Sequence, residues 1–298
     1  MYQFNIHSPE DLEEALELKA TFGADLHPFA GGTDVLVSIR NNRVDWGEQP
    51  SLLNLNKIQA LHFIKETPNT IEIGALMTHS EISNHPLIQT HIPALAKAVS
   101  YIGSPQIRNR GTIVGNLCHA SPAADSLPIL YCRNANIEVQ TQKQTTLVPI
   151  EEFITGPGFI ALDPSGIVTK ISVPKLPDYI GDYLTLRQRQ ALSCNVVSVG
   201  IEMKYPNQRE KIEDIRIALG AVSPTVIRGE KTEKLLKNKV ITQDIINSAH
   251  ELIQTECVPI DDVRSNKHYR QAMTGVLLSR FLFSKKMKIT QRPPYFVQ

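Results

Sequence analysis

Residues 104–128 read SPQIRNRGTIVGNLCHASPAADSLP, the least regular and most distinctive stretch of the chain. Within it, Gly111-Thr112-Ile113-Val114-Gly115-Asn116 follows two arginines, Arg108 and Arg110. Backbone N–H groups and the Thr112 hydroxyl suit phosphate oxygens, and arginine supplies positive charge. A solvated polar loop is the alternative, but buried-type residues are interleaved with the polar ones. The stretch therefore predicts a site for an anionic ligand that accepts hydrogen bonds.

A second stretch, FAGGTDVL at residues 29–36, follows a predicted strand at Leu26–Ala30. Its two glycines let the backbone turn sharply and let a ligand come close. Successive N–H groups in such a turn form a concavity for phosphate oxygens. A tight turn with Asp34 as a helix cap is the alternative, and this segment taken alone favours it. The alternation that follows, in Val35–Arg40, slightly favours a strand over a turn of helix.

A third stretch, Cys118–Ser126, is rich in small residues that allow close packing against a flat ligand. Asp125 could accept a hydrogen bond from a ribose hydroxyl, or it could cap a helix that begins at Leu127. His119 is more readily a structural histidine than a general base. The sequence has no G-x-G-x-x-G, P-loop, G-x-S-x-G or H-E-x-x-H motif. A nucleotide would therefore be held by a different loop architecture, and no catalytic acid–base residue is predicted.

Length and composition limit the classes of protein to which the chain can belong. A chain of 298 residues with 42% hydrophobic and 20% charged residues can form about two packed domains. A net charge of +1 argues against a non-specific nucleic-acid binder. Without a long apolar run or a secretory leader, the chain is predicted to be cytoplasmic and not a membrane protein. The four cysteines are scattered with no C-x-x-C pair, which predicts reduced thiols and no metal site on this chain.

Hydrophobic periodicity predicts alternating helices and strands. Tyr2, Phe4 and Ile6 indicate a first strand, and Ser8 and Pro9 a helix start before Leu12–Leu18. Thr78 with Glu81 predicts a capping box. A longer helix over 87–101 is interrupted or restarted at Pro93, and prolines 174 and 177 mark a domain boundary. Beyond it we expect three strands, at residues 183–189, 196–205 and 212–222. Three helices should follow, at residues 231–237, 242–255 and 269–283.

Four segments, taken together and in order, resemble one family. They are FAGGTDVL (29–36), SPQIRNRGTIVGNLCHASPAADSLP (104–128), RIALGAVSPTVIR (216–228) and DDVRSNKHYRQAM (261–273). They are similar to the flavin-binding medium subunit of the molybdenum hydroxylases, the xanthine dehydrogenase and carbon monoxide dehydrogenase group. Because the four segments occur in the family's order and span nearly the whole chain, together they are more specific for the family than any one of them is.

The resemblance implies an α+β fold. Residues 1–177 would form an FAD-binding domain like that of vanillyl-alcohol oxidase and the peptidoglycan reductase MurB, with α+β subdomains at about 1–57 and 58–177. A small α+β domain with a three-stranded antiparallel sheet and helices would follow at 178–288, and then a tail at 289–298. The resemblance also implies cofactor contacts at Phe29, Ala30, Gly31, Gly32, Thr33, Asp34, Val35, Leu36, Ile102, Thr112, Ile113, Gly115, Asn116, Asp125, Val168 and Thr185.

The implied roles differ along the chain. Residues 29–36 would line the FAD pyrophosphate, and residues 112–116 would form a second phosphate and flavin-side loop. Val168 would give an apolar backbone contact to the isoalloxazine. Two departures from the family pattern stand out. Val114 replaces a common glycine, so a positive φ there would strain the loop. Thr185 replaces a common lysine, which would lower the redox potential.

By the same resemblance, the chain relays electrons through FAD. A large partner subunit would carry molybdopterin, and a small partner subunit would carry [2Fe-2S] clusters. Electrons would pass from those clusters through FAD to an acceptor such as NAD+, in what we expect to be a dimer of heterotrimers. The alternatives are a stand-alone MurB-like flavin reductase and a non-catalytic scaffold that has lost FAD. The substrate of such a complex would be bound on another chain, the large partner subunit.

Overall fold

The computed structural model describes residues 4–41, 51–189, 192–205 and 211–287. Tyr2 and the expected tail at 289–298 lie outside these residues. The described strands are Asn5–His7 (β1), Leu26–Phe29 (β2), Ser51–Asn54 (β3), Ile64–Glu66 (β4), Thr70–Gly74 (β5), Asn136–Gln140 (β6), Thr145–Pro149 (β7), Ile154–Gly156 (β8), Phe159–Ile160 (β9), Ile167–Pro174 (β10), Tyr179–Arg187 (β11), Asn195–Lys204 (β12), Asp214–Gly220 (β13) and Ile227–Arg228 (β14).

The helices alternate with the strands and are mostly short. They are Leu12–Phe22 (α1), Val35–Arg40 (α2), His79–Asn84 (α3), Pro86–His91 (α4), Pro93–Ser100 (α5), Pro105–Arg108 (α6), Ile113–His119 (α7), Leu127–Cys132 (α8), Ile150–Phe153 (α9), Glu230–Leu236 (α10), Gln243–Glu256 (α11) and Lys267–Met287 (α12). Within the described ranges, none of them is long and apolar enough to cross a membrane.

The chain forms two compact units. The first contains residues 1–121 and 134–175, and the second contains residues 122–133 and 176–298. The second unit therefore takes in α8 from the middle of the chain. Mixed helix and strand content in both units confirms the predicted α+β class.

Two sheets organise the first unit. Strands β1, β3 and β2, in that order, form a parallel sheet in which Ile6 pairs with Leu52 and His27 pairs with Leu52 on its other side. A five-stranded antiparallel sheet has the order β4-β5-β10-β6-β7. Its centre is apolar, because alternate residues of β5 and β6, such as Ile71, Ile73 and Ile137, are fully buried.

Capping groups set several helix boundaries in the first unit. The capping box forms as predicted: the Thr78 hydroxyl accepts from the Glu81 N–H at 3.3 Å, and the Glu81 carboxylate accepts from the Thr78 N–H at 2.9 Å. Helix α1 begins later than Ser8 and Pro9 indicate, because the Asp11 side chain accepts from the Glu14 N–H at 2.9 Å. The predicted helix at 87–101 is two helices, each with proline in its first turn.

The weakly favoured strand at Val35–Arg40 is wrong, because this segment is helix α2. The Ser38 N–H donates to the Asp34 carbonyl at 2.8 Å, which is the helical i to i−4 bond. In a helix, residues two apart lie on opposite faces, and accordingly Ile39 is buried while Val37 is exposed. A segment of only six residues is too short for its periodicity to separate a strand from a helix.

The second unit is a sheet covered by helices. Strands β11, β12, β13 and β14 form an antiparallel sheet in that order, so the three predicted strands gain a fourth. Strand β14 has two residues, too few to show a periodic pattern. Strand β12 is buried along almost its whole length, and its core partners include Ile217, Ile253, Leu278 and Phe281. Helix α8 packs so closely that a Cβ on Gly200 would lie 2.9 Å from the Pro128 carbonyl carbon.

Candidate functional site

The first unit contains a cavity of about 480 Å³, within the usual range for small-molecule and cofactor sites. It lies among the end of β2, the loop into α2, the start of α3 and the first turns of α7. The lining residues are His27, Pro28, Phe29, Ala30, Gly31, Gly32, Thr33, Asp34, Val35, Ser38, His79, Ile102, Ile107, Gly111, Thr112, Gly115, Asn116, Cys118 and His119. Residues from all three of the sequence stretches singled out above thus meet at one cavity.

Gly31 and Gly32 have different reasons to be glycine. A Cβ on Gly31 would lie 2.0 Å from the Arg110 carbonyl oxygen and 3.0 Å from the Gly111 Cα, so the two loops touch backbone to backbone. Gly32 has φ +69°, a left-handed conformation that L side chains rarely adopt. The glycine pair therefore seats the first loop on the second and turns the chain into α2.

Gly111 lies where three segments of the cavity floor converge. A Cβ there would lie 3.2 Å from Cδ2 of His79 and 3.4 Å from the Thr33 hydroxyl oxygen. The Gly111 carbonyl also accepts the His79 backbone N–H at 2.9 Å. The nearest atom would be the Ile107 carbonyl oxygen at 3.1 Å, so an added Cβ would crowd this part of the cavity and its neighbours would shift by a few tenths of an ångström.

The second loop begins a regular helix. The Thr112 hydroxyl oxygen accepts from the Gly115 N–H at 3.1 Å and caps α7. As an acceptor at the cap, that hydroxyl still has its own proton to donate into the cavity. Val114 lies in this helix and is absent from the residues with positive φ, so the strain considered for it does not arise.

A hydrogen-bonded pair joins the two loops at the cavity. Asp34 makes no side-chain cap to α2, and its Oδ2 lies 2.9 Å from Nδ1 of His119 at the end of α7. Both side chains are partly exposed, so the pair adds little to stability. Its structural effect is to hold the His119 end of α7 beside the loop before α2.

The expected arginine contacts are not at the cavity. The Arg108 guanidinium donates to the Ile102 carbonyl at 2.9 Å, and neither Arg108 nor Arg110 lines the cavity. Burial, followed by the positive charge of Arg108, lowers the pKa of His79 to about 4. Burial, with a smaller effect of Lys19, also lowers the pKa of His27. The cavity therefore offers neutral hydrogen-bond donors in place of fixed cations.

Most of the predicted site residues of the first unit line the cavity, and a few do not. Residues 29–35, Ile102, Thr112, Gly115 and Asn116 line it. Leu36 is half-exposed on α2, and Ile113 is fully buried in the first turn of α7. Val168 is buried in β10, beside a β-bulge.

Asp125 and Thr185 lie in the second unit, in a buried polar cluster. The Asp125 Oδ1 accepts from the Tyr183 hydroxyl at 2.6 Å, from Nδ2 of Asn195 at 3.0 Å and from the Arg187 guanidinium. The Thr185 hydroxyl donates to Oδ1 of Asn195 at 2.5 Å, so the amide nitrogen is turned toward Asp125. Burial and then the Asp125 charge raise the pKa of Tyr183 well above its usual value.

These residues fit the diphosphate of a dinucleotide cofactor. The backbone of Gly31 and Gly111 lines the cavity, and at both positions a Cβ would crowd neighbouring segments of the chain. Hydroxyl donors are present at Thr33 and Thr112, both of which line the cavity. Hydrogen-bond donors beside exposed glycine backbone are the groups that bind phosphate oxygens without lysine or arginine.

Comparison with known proteins identifies the family. The family described as "FAD binding domain in molybdopterin dehydrogenase" matches residues 2–176. The chain belongs to this family. The family described as "CO dehydrogenase flavoprotein C-terminal domain" matches residues 183–284. The resemblance seen in the four sequence segments is therefore confirmed, FAD is the cofactor, and the chain is a flavoprotein subunit of an oxidoreductase of the molybdenum hydroxylase family.

Individual relatives agree over nearly their full length. The chain is 28% identical to the carbon monoxide dehydrogenase medium chain of Hydrogenophaga pseudoflava, covering 94% of this chain and 96% of that one. It is 29% identical to the nicotinate dehydrogenase FAD-subunit of Eubacterium barkeri, covering 95% and 96%. A solved structure of carbon monoxide dehydrogenase from H. pseudoflava, lacking the Mo-pyranopterin moiety of its cofactor, superposes with a TM-score of 0.88 at 27% identity, covering 95% and 98%.

Several lining residues gave no sequence signal of a ligand site. His27, Ser38 and His79 line the cavity of this flavoprotein subunit. His79 directly follows the cap residue Thr78, so the sequence around it predicts a helix start and nothing more. What brings the ring to the cavity is the contact between α3 and Gly111, which is distant in sequence.

Proposed function

We propose that this chain is the FAD-carrying electron-transfer subunit of a heteromeric molybdenum hydroxylase. A molybdopterin-binding large subunit and a small subunit with [2Fe-2S] clusters would be its partners. Electrons from those clusters would leave through this chain to an acceptor such as NAD+. The cavity of the first unit, where two glycine loops meet backbone to backbone, is the observation that carries the proposal.

The chain's own residues would bind and orient the cofactor. We place the FAD diphosphate over Gly31, Gly32 and Gly111, with hydrogen bonds from the hydroxyls of Thr33 and Thr112. The pair of Asp34 and His119 would keep the two loops at a fixed separation. FAD supplies the electron-transfer chemistry when it is bound, while the protein supplies binding, orientation and electrostatics. No side chain of this chain is assigned an acid or base role.

The partner assignment rests on how the relatives are organised. The names "medium chain" and "FAD-subunit" describe parts of larger enzymes, and this chain covers almost the whole of each. We extend that organisation to a dimer of heterotrimers in the cytoplasm. The substrate would be set by the large subunit, so it is left open.

A visible absorption spectrum of the purified protein, repeated on the supernatant after acid precipitation, tests cofactor binding. Flavin bands that move to the supernatant, identified as FAD, would support non-covalent binding. Co-purification of two further subunits with molybdenum and iron would support the relay. A stable, FAD-replete protein without molybdenum and iron would contradict it, and a colourless chain that takes up no added FAD would contradict the site.

The acceptor needs its own experiment. The complex is reduced with its substrate or with dithionite under anaerobic conditions, excess reductant is removed, and NAD+ is added. Return of the oxidised flavin spectrum together with formation of NADH supports NAD+ as acceptor. If the flavin stays reduced with NAD+ but is reoxidised by a quinone or by oxygen, NAD+ is the wrong acceptor while the relay stands.

A further inference from the structure

His79 is a buried histidine in the cavity wall, at the start of helix α3. The residue is only 2% exposed, and it is part of the cavity lining. Nδ1 is buried with no hydrogen-bond partner within the described ranges. An unpaired buried N–H group is rarer than an unpaired buried acceptor, so the burial of Nδ1 bears on which ring nitrogen carries the proton.

The orientation of the ring separates its two nitrogens. Cδ2 lies on the Gly111 side, because a Cβ on Gly111 would be 3.2 Å from it. Nε2 is bonded to Cδ2 and therefore shares that edge of the ring, next to a residue that lines the cavity floor. Nδ1 lies across the ring from Cδ2, on the buried edge.

The burial of Nδ1 also selects the tautomer. Burial and the neighbouring Arg108 lower the pKa of His79 to about 4, so the ring is neutral near neutral pH. A neutral imidazole has one N–H donor and one acceptor nitrogen. Unpaired buried N–H groups are rarer than unpaired acceptors, so the proton belongs on Nε2 and the lone pair on Nδ1. The ring then presents an N–H donor on its Gly111 edge.

We propose that His79 is a further cofactor-binding residue, whose Nε2–H donates a hydrogen bond to the diphosphate of the bound flavin cofactor. This inference rests on the diphosphate position proposed above. It gives the cavity a third side-chain donor beside the hydroxyls of Thr33 and Thr112. Since the donor is uncharged, its contribution would not depend on protonation of the ring near neutral pH.

The test compares three substitutions of different hydrogen-bonding geometry. Glutamine places an amide nitrogen near the position of Nε2, asparagine places one near Nδ1, and leucine supplies neither. The full-length protein, with any subunits that accompany it, is stripped of flavin and titrated with FAD, and binding is followed by flavin fluorescence. His79→Gln should bind within about threefold of wild type. His79→Asn and His79→Leu should bind about 10- to 100-fold more weakly, as expected for a lost hydrogen bond to a charged group.

Controls distinguish a loss of FAD binding from a loss of folding, and a failure of this inference from a failure of the proposed function. His91→Gln changes a histidine that pairs with Glu66 outside the cavity lining, so it should bind like wild type. Thermal unfolding of each apo variant reports the fold, and competition by ADP reports whether the loss follows the diphosphate. Three outcomes would overturn this inference alone. They are equal FAD affinity of all variants, tight FAD binding by His79→Asn but not by His79→Gln, and weaker binding of FAD with no change in the binding of ADP. A wild-type protein that binds no FAD would overturn the proposed function as well.

Discussion

Replacing Gly31 with alanine should weaken FAD binding while leaving the fold in place. The new Cβ would lie 2.0 Å from the Arg110 carbonyl oxygen and 2.6 Å from its carbon. Both atoms are backbone, so no side-chain rotation relieves the clash. To reach an ordinary contact distance of about 3.4 Å, the loops must separate by about 1.4 Å.

A separation of this size exceeds the tolerance of a hydrogen bond, which weakens steeply beyond about 3.2 Å. Loss of one bond to a charged phosphate corresponds to about 1.5–3 kcal/mol, or roughly a 10- to 100-fold weaker affinity. Overpacking should also lower the free energy of unfolding by about 1–3 kcal/mol. Gly32→Ala should weaken binding by a different route, since φ +69° strains any L side chain.

The assay is a fluorescence titration of the flavin-free protein with FAD, paired with urea unfolding of the same samples. Gly156→Ala is the matched control, because its Cβ would meet nothing closer than 3.6 Å in the same unit and its φ is ordinary. If Gly31→Ala binds FAD as tightly as Gly156→Ala does, the diphosphate does not lie over this loop. If Gly31→Ala fails to fold, His79→Asn and Gly32→Ala still test the same position.

Four further outcomes follow from the described contacts. Thr78→Ala removes the capping box and should cost about 1 kcal/mol in urea unfolding, whereas Thr78→Ser should restore it. The pKa of His79 is lower in the folded protein than in the unfolded chain, so the unfolded chain binds the proton first as the pH falls. The free energy of unfolding should therefore fall by about 3 kcal/mol between about pH 6.5 and pH 4. Denaturation measured across that range should show no such loss for His79→Gln. Tyr183→Phe deletes a buried hydroxyl bonded to Asp125 and should cost about 1–2 kcal/mol without changing the secondary structure seen by circular dichroism. Asp125→Asn leaves the buried Arg187 without its carboxylate and should destabilise the apo protein by about 3 kcal/mol or more in the same unfolding assay.

Local chemistry made part of the fold predictable. The capping box at Thr78 and Glu81 needs only residues three apart, and it forms as predicted. Proline in the first turn likewise divides the helix at Pro93. The parallel pairing of β1 with β3 and of β2 with β3 has no such signal, because each partner lies more than twenty residues away. Which strands meet is decided by packing that no local window contains.

The features of the site also divide into those that the local sequence predicts and those that only the fold determines. The two glycines in sequence predicted a sharp turn and the close approach of a ligand. At Gly31 the structure shows the close approach of another backbone segment, at the Arg110 carbonyl. Two nearby arginines suggested fixed charge at the phosphates, but Arg108 is instead held by the Ile102 carbonyl. Composition indicates which groups are available. Only the fold decides whether a guanidinium faces a ligand or satisfies a nearby carbonyl.

Asp125 shows how far a motif residue's role can be transferred between relatives. The resemblance implies that it contacts the cofactor, yet its Oδ1 already accepts from Tyr183, Asn195 and Arg187. A carboxylate that holds a buried guanidinium is needed by the protein whether or not a cofactor is present, because the unpaired cation would be costly. A residue that only contacts cofactor would leave the apo protein unchanged when replaced. The stability of apo Asp125→Asn therefore separates the two roles, and the arrangement of donors around Oδ1 favours an anchor that fixes strands β11 and β12.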